Sequence, residues 1–331
     1  MKKKSEEYLS TDANLVLDTI VSFYKFVDIE DPFALQKKLK CLTSTLGIKG
    51  TILLASEGIN AMISGTAAAI SEFKDEFKKD LRFADIEFKD SYYDDTSFRR
   101  MLVKVKKYII TMRQDVNPAE ETGEYLDPLE FKKWQDEKRD ILILDTRNDY
   151  EVSVGTFSGA INPNIKSFDE FPAWIDNNLK EDKEKPIVTF CTGGIRCEKA
   201  TAYMQRQGFK KVYQLRGGII KYFEETLKAE TLDSHWEGDC VVFDKRKAIS
   251  KDLKPSKKDI CYLCLTELHP DNKAEKPLPA GDLCIPCFDK MNFYREKRRK
   301  QGMIKHKENL KKRAEFLRSE AARYKKSQLE N

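Results

Sequence analysis

The chain has 331 residues, 40% of them hydrophobic and 35% charged, with a formal net charge of +5 at pH 7. That length exceeds one ordinary core and implies two or three domains, while the lack of an apolar run of about 18 residues excludes a membrane-spanning helix. The opening Met-Lys-Lys-Lys-Ser-Glu-Glu-Tyr turns acidic and polar where an export signal turns apolar, so a cytoplasmic protein is expected, and its eight cysteines read as metal ligands or reactive thiols rather than disulfides.

Residues 13–115 alternate strand-like and helix-like patterns. Val21 to Val27 reads as a strand, and Pro32 to Leu46 as a helix with Phe33, Leu35, Leu39 and Leu42 at near-helical spacing. Gly50 to Ala55 and Asn60 to Gly65, joined by Ser56-Glu-Gly-Ile, form a predicted hairpin. A second helix, Ala67 to Phe77, carries Ile70, Phe73 and Phe77; strand-like Asp85 to Lys89 and Met101 to Val105 close the segment. The order β-α-β-β-α-β fits a ferredoxin-like (acylphosphatase-like) α+β domain.

The polar connection Asn117 to Gly123 marks a boundary, and residues 124–231 form the next unit. Asp127 caps a helix that has Pro128 in its first turn. Ile141 to Leu144, Pro186 to Phe190 and Val212 to Leu215 are short, continuously apolar or β-branched strands separated by helical patterns. Together they predict an α/β domain with a parallel sheet covered on both faces, whose ligands bind beyond the carboxyl ends of the strands. Residues 232–290 hold Cys261-x-x-Cys264 and Cys284-x-x-Cys287, two pairs with 19 residues between them, the pattern of a four-thiolate zinc site. From 291 to 331 there are 14 Lys/Arg against 5 Asp/Glu, which leaves the rest of the chain at −4. This tail is expected to form one or two basic amphipathic helices and to engage a phosphate backbone.

The chemistry concentrates between Val188 and Ala200. An apolar strand runs into Cys191, the loop Thr192-Gly193-Gly194-Ile195 follows, and a helix begins beyond it. Converging loop amides and the positive end of the helix dipole would stabilise a Cys191 thiolate. Four residues separate Cys191 from Arg196, one fewer than a phosphatase-type loop requires, so the loop suits a single sulfur or another small group. Arg196 would raise the thiolate fraction and could contact a phosphate. Cys197 either packs or acts as a resolving or co-catalytic thiol. Asp145 and Arg147 read as structural pins, and Cys41 and Cys240 as packing residues. A zinc ion held by Cys261, Cys264, Cys284 and Cys287 would be structural, with no open coordination position. His235, His269 and His306 are too widely separated to suggest an iron triad, and no motif for an organic cofactor is evident. Phe293, Tyr294, Phe316 and Tyr324 are placed either to stack on unpaired bases of a nucleic acid or to seal the tail against the body.

The run Cys191-Thr-Gly-Gly-Ile-Arg-Cys-Glu-Lys-Ala200, with Asp145-Thr-Arg-Asn-Asp-Tyr-Glu151 before it and Gln214-Leu-Arg-Gly-Gly-Ile219 after it, resembles the rhodanese domain of the oxygen-dependent tRNA uridine-34 5-hydroxylases. Ser56 to Asn60 and Lys104 to Met112 resemble that family's amino-terminal segment; Trp236 to Arg246 and the four cysteines resemble its carboxyl-terminal one. Tyr108 departs from the pattern, which has an acidic residue there. The resemblance implies hydroxylation of the wobble uridine at C5 with molecular oxygen, a tRNA partner bound through its anticodon region, and Cys191 as the persulfide-type cysteine. Two rival readings remain: a sulfurtransferase passing persulfide sulfur from Cys191 to a small acceptor or RNA, and an RNA-binding adaptor, against which the intact Cys191 argues.

Overall fold

A computed structural model describes residues 18–93, 98–231, 234–276 and 281–329. They divide into two compact units, the first ending at Lys257 and the second starting at Lys258. The first unit opens with β1 (Asp18–Phe26), α1 (Pro32–Thr45), β2 (Lys49–Ala55), β3 (Gly58–Gly65), α2 (Ala67–Lys78), β4 (Lys89–Tyr93) and β5 (Met101–Val105). Its sheet has the order β4-β1-β3-β2-β5, antiparallel throughout except for the β2–β5 pair. The first four strands have the arrangement of a split βαβ sandwich, and β5 adds a fifth at the edge.

Local chemistry explains these elements. The Asp31 carboxylate accepts from the amides of Phe33 and Ala34 at 3.0 and 2.9 Å, and Pro32 needs no partner for its nitrogen. Leu35 and Leu39 of α1 are buried, whereas Phe33 points outward. Alternation along β1 sends Val21 and Phe23 into a core with Phe73, Phe77 and Phe83, and leaves Ser22, Tyr24 and Phe26 on the face without helices. The strand expected from Asp85 begins only at Lys89, where pairing with Ser22 starts. Before it, a 3-10 turn at Leu81–Phe83 directs Phe83 and Ile86 into the core instead.

The same unit continues with β6 (Glu124–Leu126), α3 (Pro128–Asp136), β7 (Leu142–Asp145), α4 (Asp149–Val152), β8 (Gly155–Phe157), α5 (Phe171–Asn178), β9 (Pro186–Phe190), α6 (Ile195–Arg206), β10 (Lys211–Leu215) and α7 (Gly218–Lys228). Strands β6-β10-β9-β7 form a wholly parallel sheet. One face packs Phe171, Ile175, Ala200 and Met204; the other packs Phe131, Phe157, Tyr222 and Phe223. Burial on both sides is why β9 is apolar without alternation. Asp127 does precede α3, but its carboxylate accepts from Arg216 at 2.7 Å and makes no cap hydrogen bond.

Three further strands, β11 (Trp236–Gly238), β12 (Cys240–Val241) and β13 (Ala248–Ile249), complete this unit. β11 pairs with β8, and Trp236 lies edge-on to Phe157 at 5.0 Å in the second core. The segment from residue 234 to Lys257, grouped by sequence with the four-cysteine module, therefore belongs to the α/β core. A buried indole has more apolar surface to lose than a short polar connection can shield.

In the second unit the four cysteines gather around Leu268, Ala274 and Leu283, and α8 (Ile285–Leu329) runs on as one continuous helix of 45 residues. Phe293 and Tyr294 are exposed on it, while the side chains of His306, Phe316 and Tyr324 lie outside the described residues. No helix among the described residues is long and apolar enough to cross a membrane.

Candidate active site

Cys191 leaves the carboxyl end of β9 at a buried position, 1% exposed. The chain must turn sharply to enter α6, and Gly194 takes φ +103° to do so; a β-carbon there would meet Tyr24 Oη at 2.7 Å. The turn aims the Gly194 amide at Cys191 Sγ, 3.1 Å away. From the other side, the Ile219 and Ile220 amides at the start of α7 donate to the carbonyls of Cys191 and Thr192 at 3.0 and 3.2 Å. Gly218, at φ +70°, permits this approach, because a β-carbon there would stand 2.5 Å from Cys191 O.

Burial pushes the Cys191 thiol up, but the Cys197 thiol, the Arg196 charge and the amides of Arg196 and Gly194 more than reverse it, holding the thiol well below its ordinary range. Cys197 moves the opposite way: burial and the neighbouring Cys191 sulfur push it well above. Of the two, Cys191 is the one whose surroundings favour the anion. Thr146 Oγ1 lies 3.7 Å from Cys197 Sγ.

Arg196 does not reach into solvent. Its two terminal nitrogens donate to Glu151 Oε2 and Oε1 at 2.6 and 2.7 Å, and Glu151 in turn accepts from the Asn148 amide in a capping box. The guanidinium therefore serves as a fixed charge behind the loop, and a contact with an RNA phosphate would first require breaking this pair. Asp145 and Arg147 are pins, as expected: Arg147 is fully buried, forks onto Asp145, and donates to Gly155 O at 2.6 Å, tying β7 to β8. Cys240 is a buried packing thiol, pushed by burial up to about 12, whereas Cys41 is exposed on α1.

The open face of the first sheet lies across the loop. Tyr24 Oη donates to Glu198 at 2.9 Å, and the same carboxylate accepts from Tyr125 at 2.8 Å and Thr122 at 2.9 Å. Lys199, fully covered, pairs with Glu57 at 2.7 Å and sits 4.7 Å from the ring centre of Tyr108. The ring at the departing position thus holds a cation by its π face while Glu57 supplies the negative charge. Lys89 Nζ donates to the carbonyls of Gly193 and Gly217. Tyr24, Glu57, Lys89, Glu151 and Glu198 are not among the site residues the sequence points to; Glu57, Glu151 and Glu198 lie within the Ser56–Asn60, Asp145–Glu151 and Cys191–Ala200 motifs, whereas Lys89 only ends a predicted strand.

Between sheet and loop lies a cavity of about 950 Å³. Cys191, Thr192, Gly193, Ile195 and Arg196 contribute to one wall, and Ser22, Tyr24 and Met62 to the wall opposite. In the second unit, the Sγ atoms of Cys261, Cys264, Cys284 and Cys287 lie within 4.8 Å of one another. Four thiolates at about 2.3 Å from a central ion would be roughly 3.8 Å apart, so the cluster can hold a metal ion.

Residues 19–109 match the UPF0176 acylphosphatase like domain, and residues 127–225 the rhodanese-like domain. A protein of Picosynechococcus sp. (strain ATCC 27264 / PCC 7002 / PR-6) named tRNA uridine(34) hydroxylase is 43% identical over 282 residues, covering 84% of this chain and 93% of its own. One of the same name from Acinetobacter baumannii (strain AYE) is 41% identical over 273 residues, covering 82% of this chain and 85% of its own.

Proposed function

The chain belongs to the tRNA uridine(34) hydroxylase family, and from that premise we propose that it converts uridine-34 of tRNA to 5-hydroxyuridine at the cavity between its first sheet and the Cys191 loop. The observation that carries this placement is the Cys191 sulfur, 3.1 Å from the Gly194 amide, at the wall of a cavity of about 950 Å³, within the size range of small-molecule sites and large enough for one splayed-out nucleoside. Tyr24, Tyr125, Tyr150 and Phe243 along its lining offer rings on which a base can stack.

The net change replaces C5–H by C5–OH. Molecular oxygen, the co-substrate, supplies the inserted atom, and its second atom leaves as water after taking up two protons and two electrons from an external two-electron reductant. The chain's own residues prepare the sulfur. The Gly194 amide and the Arg196 charge hold Cys191 anionic, as thiolate or persulfide, and Cys197 keeps its proton beside it. Thr192, Gly193 and Ile195 shape the loop, and covering the first turn of α6 excludes bulk water.

Zinc is the ion we assign to the four cysteines: four thiolates close the coordination shell, which makes the site structural. The basic helix α8 offers cationic side chains to the tRNA backbone around the anticodon, and a tRNA substrate supports the reading of a cytoplasmic enzyme. The test is complementation of a strain that lacks the family's enzyme, with wild-type chain or Cys191→Ser, followed by mass spectrometry of wobble nucleosides. Wild type is expected to restore 5-hydroxyuridine or its alkoxy derivatives, and the variant, present at equal level, to restore none. Full modification by Cys191→Ser, or restoration of a thiolated base instead, would replace hydroxylation at this sulfur with another reading.

A further inference from the structure

Lys89 opens β4, in the sheet of the first domain, yet its ammonium is spent on the other domain. It donates to Gly193 O and, at 3.1 Å, to Gly217 O, and it lies 5.5 Å from the ring centre of Tyr24. Gly193 O belongs to the same peptide group as the Gly194 N–H, and that N–H donates to Cys191 Sγ at 3.1 Å. One peptide therefore carries a cation at its oxygen end and the reactive sulfur at its nitrogen end. A cation on the carbonyl draws electron density from the nitrogen and strengthens the N–H as a donor; such chains reinforce each bond by roughly 10–30%. The second acceptor, Gly217 O, precedes the glycine that packs against Cys191 O. A single ammonium thus ties the β9–α6 and β10–α7 loops together under the sulfur.

We propose that Lys89 is a positioning residue for Cys191: by fixing and polarising the Gly193–Gly194 peptide it sets how readily the sulfur ionises, so that the thiolate depends on the first domain being seated. The proposal rests on Cys191 being the reactive sulfur. The groups facing Lys89 are the Tyr24 ring from β1, and Cys191, Glu87 ahead of β4, Glu224 on α7 and Glu198 on α6. Those facing Cys191 are Arg196 and Cys197 on α6, with Tyr24 across the cavity. Burial pulls Lys89 downward against the attraction of the sulfur and the carboxylates, so its assistance ends on the alkaline side.

The test measures iodoacetamide alkylation of Cys191 in the full chain, resolved by peptide mass spectrometry from mildly acid to mildly alkaline pH. It compares wild type with Lys89→Met, Lys89→Gln and Lys89→Arg, with thermal melts alongside. In the two neutral variants the midpoint for Cys191 is expected to rise by about one pH unit, which slows alkylation by up to about tenfold below the wild-type midpoint and leaves the alkaline plateau unchanged. Lys89→Arg is expected to stay near wild type, and the Cys41 peptide to be unchanged in all. Lys89→Gln, which still donates to a carbonyl, separates charge from hydrogen bonding and serves if Lys89→Met fails to fold. An unmoved midpoint in a folded neutral variant, or slowing by one factor at every pH, overturns the proposal. Because the readout is alkylation, tRNA modification by Cys191→Ser would defeat the catalytic reading while leaving this result to stand.

Discussion

Removing the Glu151 carboxylate is the most revealing single perturbation of the loop's support. Glu151 is fully buried and Arg196 is 7% exposed, and they are joined by two charge-assisted hydrogen bonds at 2.6 and 2.7 Å. Glu151→Ala strips a buried guanidinium of its hydrogen-bonded carboxylate, leaving only the more distant Cys191 sulfur and Asp145 as negative neighbours, and also removes the cap on the Asn148 amide. Breaking such a pair from one side costs about 3–5 kcal/mol, because the remaining charge stays buried. At roughly 2–4 °C per kcal/mol for a unit of this size, the melting point should fall by about 6–20 °C. The double variant Glu151→Ala/Arg196→Met removes the stranded charge and is expected to recover much of the loss. Acid melts give an independent check. Burial pushes the Glu151 carboxyl up, but the Arg196 charge and hydrogen bonds overcome this and hold it below its ordinary value. Between the folded and unfolded values the unfolded chain binds more protons, so stability climbs with pH there. The contribution is full above the unfolded value of about 4.3 and disappears as pH falls through the folded one. Glu151→Gln should flatten that acid limb. Equal melting points for the single and double variants, with an unchanged acid limb, would show that the pair acts only by filling space.

Two further predictions follow from the close approach of the loops and from the cysteine cluster. Gly218→Ala places a methyl 2.5 Å from Cys191 O at a positive φ, whereas at Gly159, also at positive φ, nothing lies within 4 Å. Gly159→Ala should therefore cost only the backbone strain, about 1–2 kcal/mol, and leave modification intact; Gly218→Ala should cost more in denaturant melts and abolish modification, and equal losses would refute the packing argument. Elemental analysis of the purified chain is expected to give about one zinc, falling sharply in Cys284→Ser. A folded, metal-free wild type would contradict the assignment.

What the sequence reveals here is what local patterning controls. β9 could be read as buried in a parallel sheet because both its faces meet apolar layers, and the strand, thiol, two glycines and helix of residues 188–200 are contiguous. The paired cysteines carry their own spacing rule. Long-range choices left little trace. β6 and β11 are three residues each, too short for periodicity, and owe their strand form to partners already in place. Asp127 looks like a cap until Arg216 arrives to claim its carboxylate. Arg196 looks free until α4 delivers Glu151, and Lys89 is an ordinary strand lysine until two domains meet.

The central claim is that oxygen enters C5 of uridine-34 at the Cys191 site. Purified full chain should be incubated with unmodified tRNA and a two-electron reductant such as a dithiol under isotopically heavy dioxygen, wild type beside Cys191→Ser, and the wobble nucleoside weighed. One heavy oxygen atom is expected in the 5-hydroxyuridine made by the wild type, with no product from the variant. A product whose new oxygen comes from water, or equal labelling by Cys191→Ser, would contradict it.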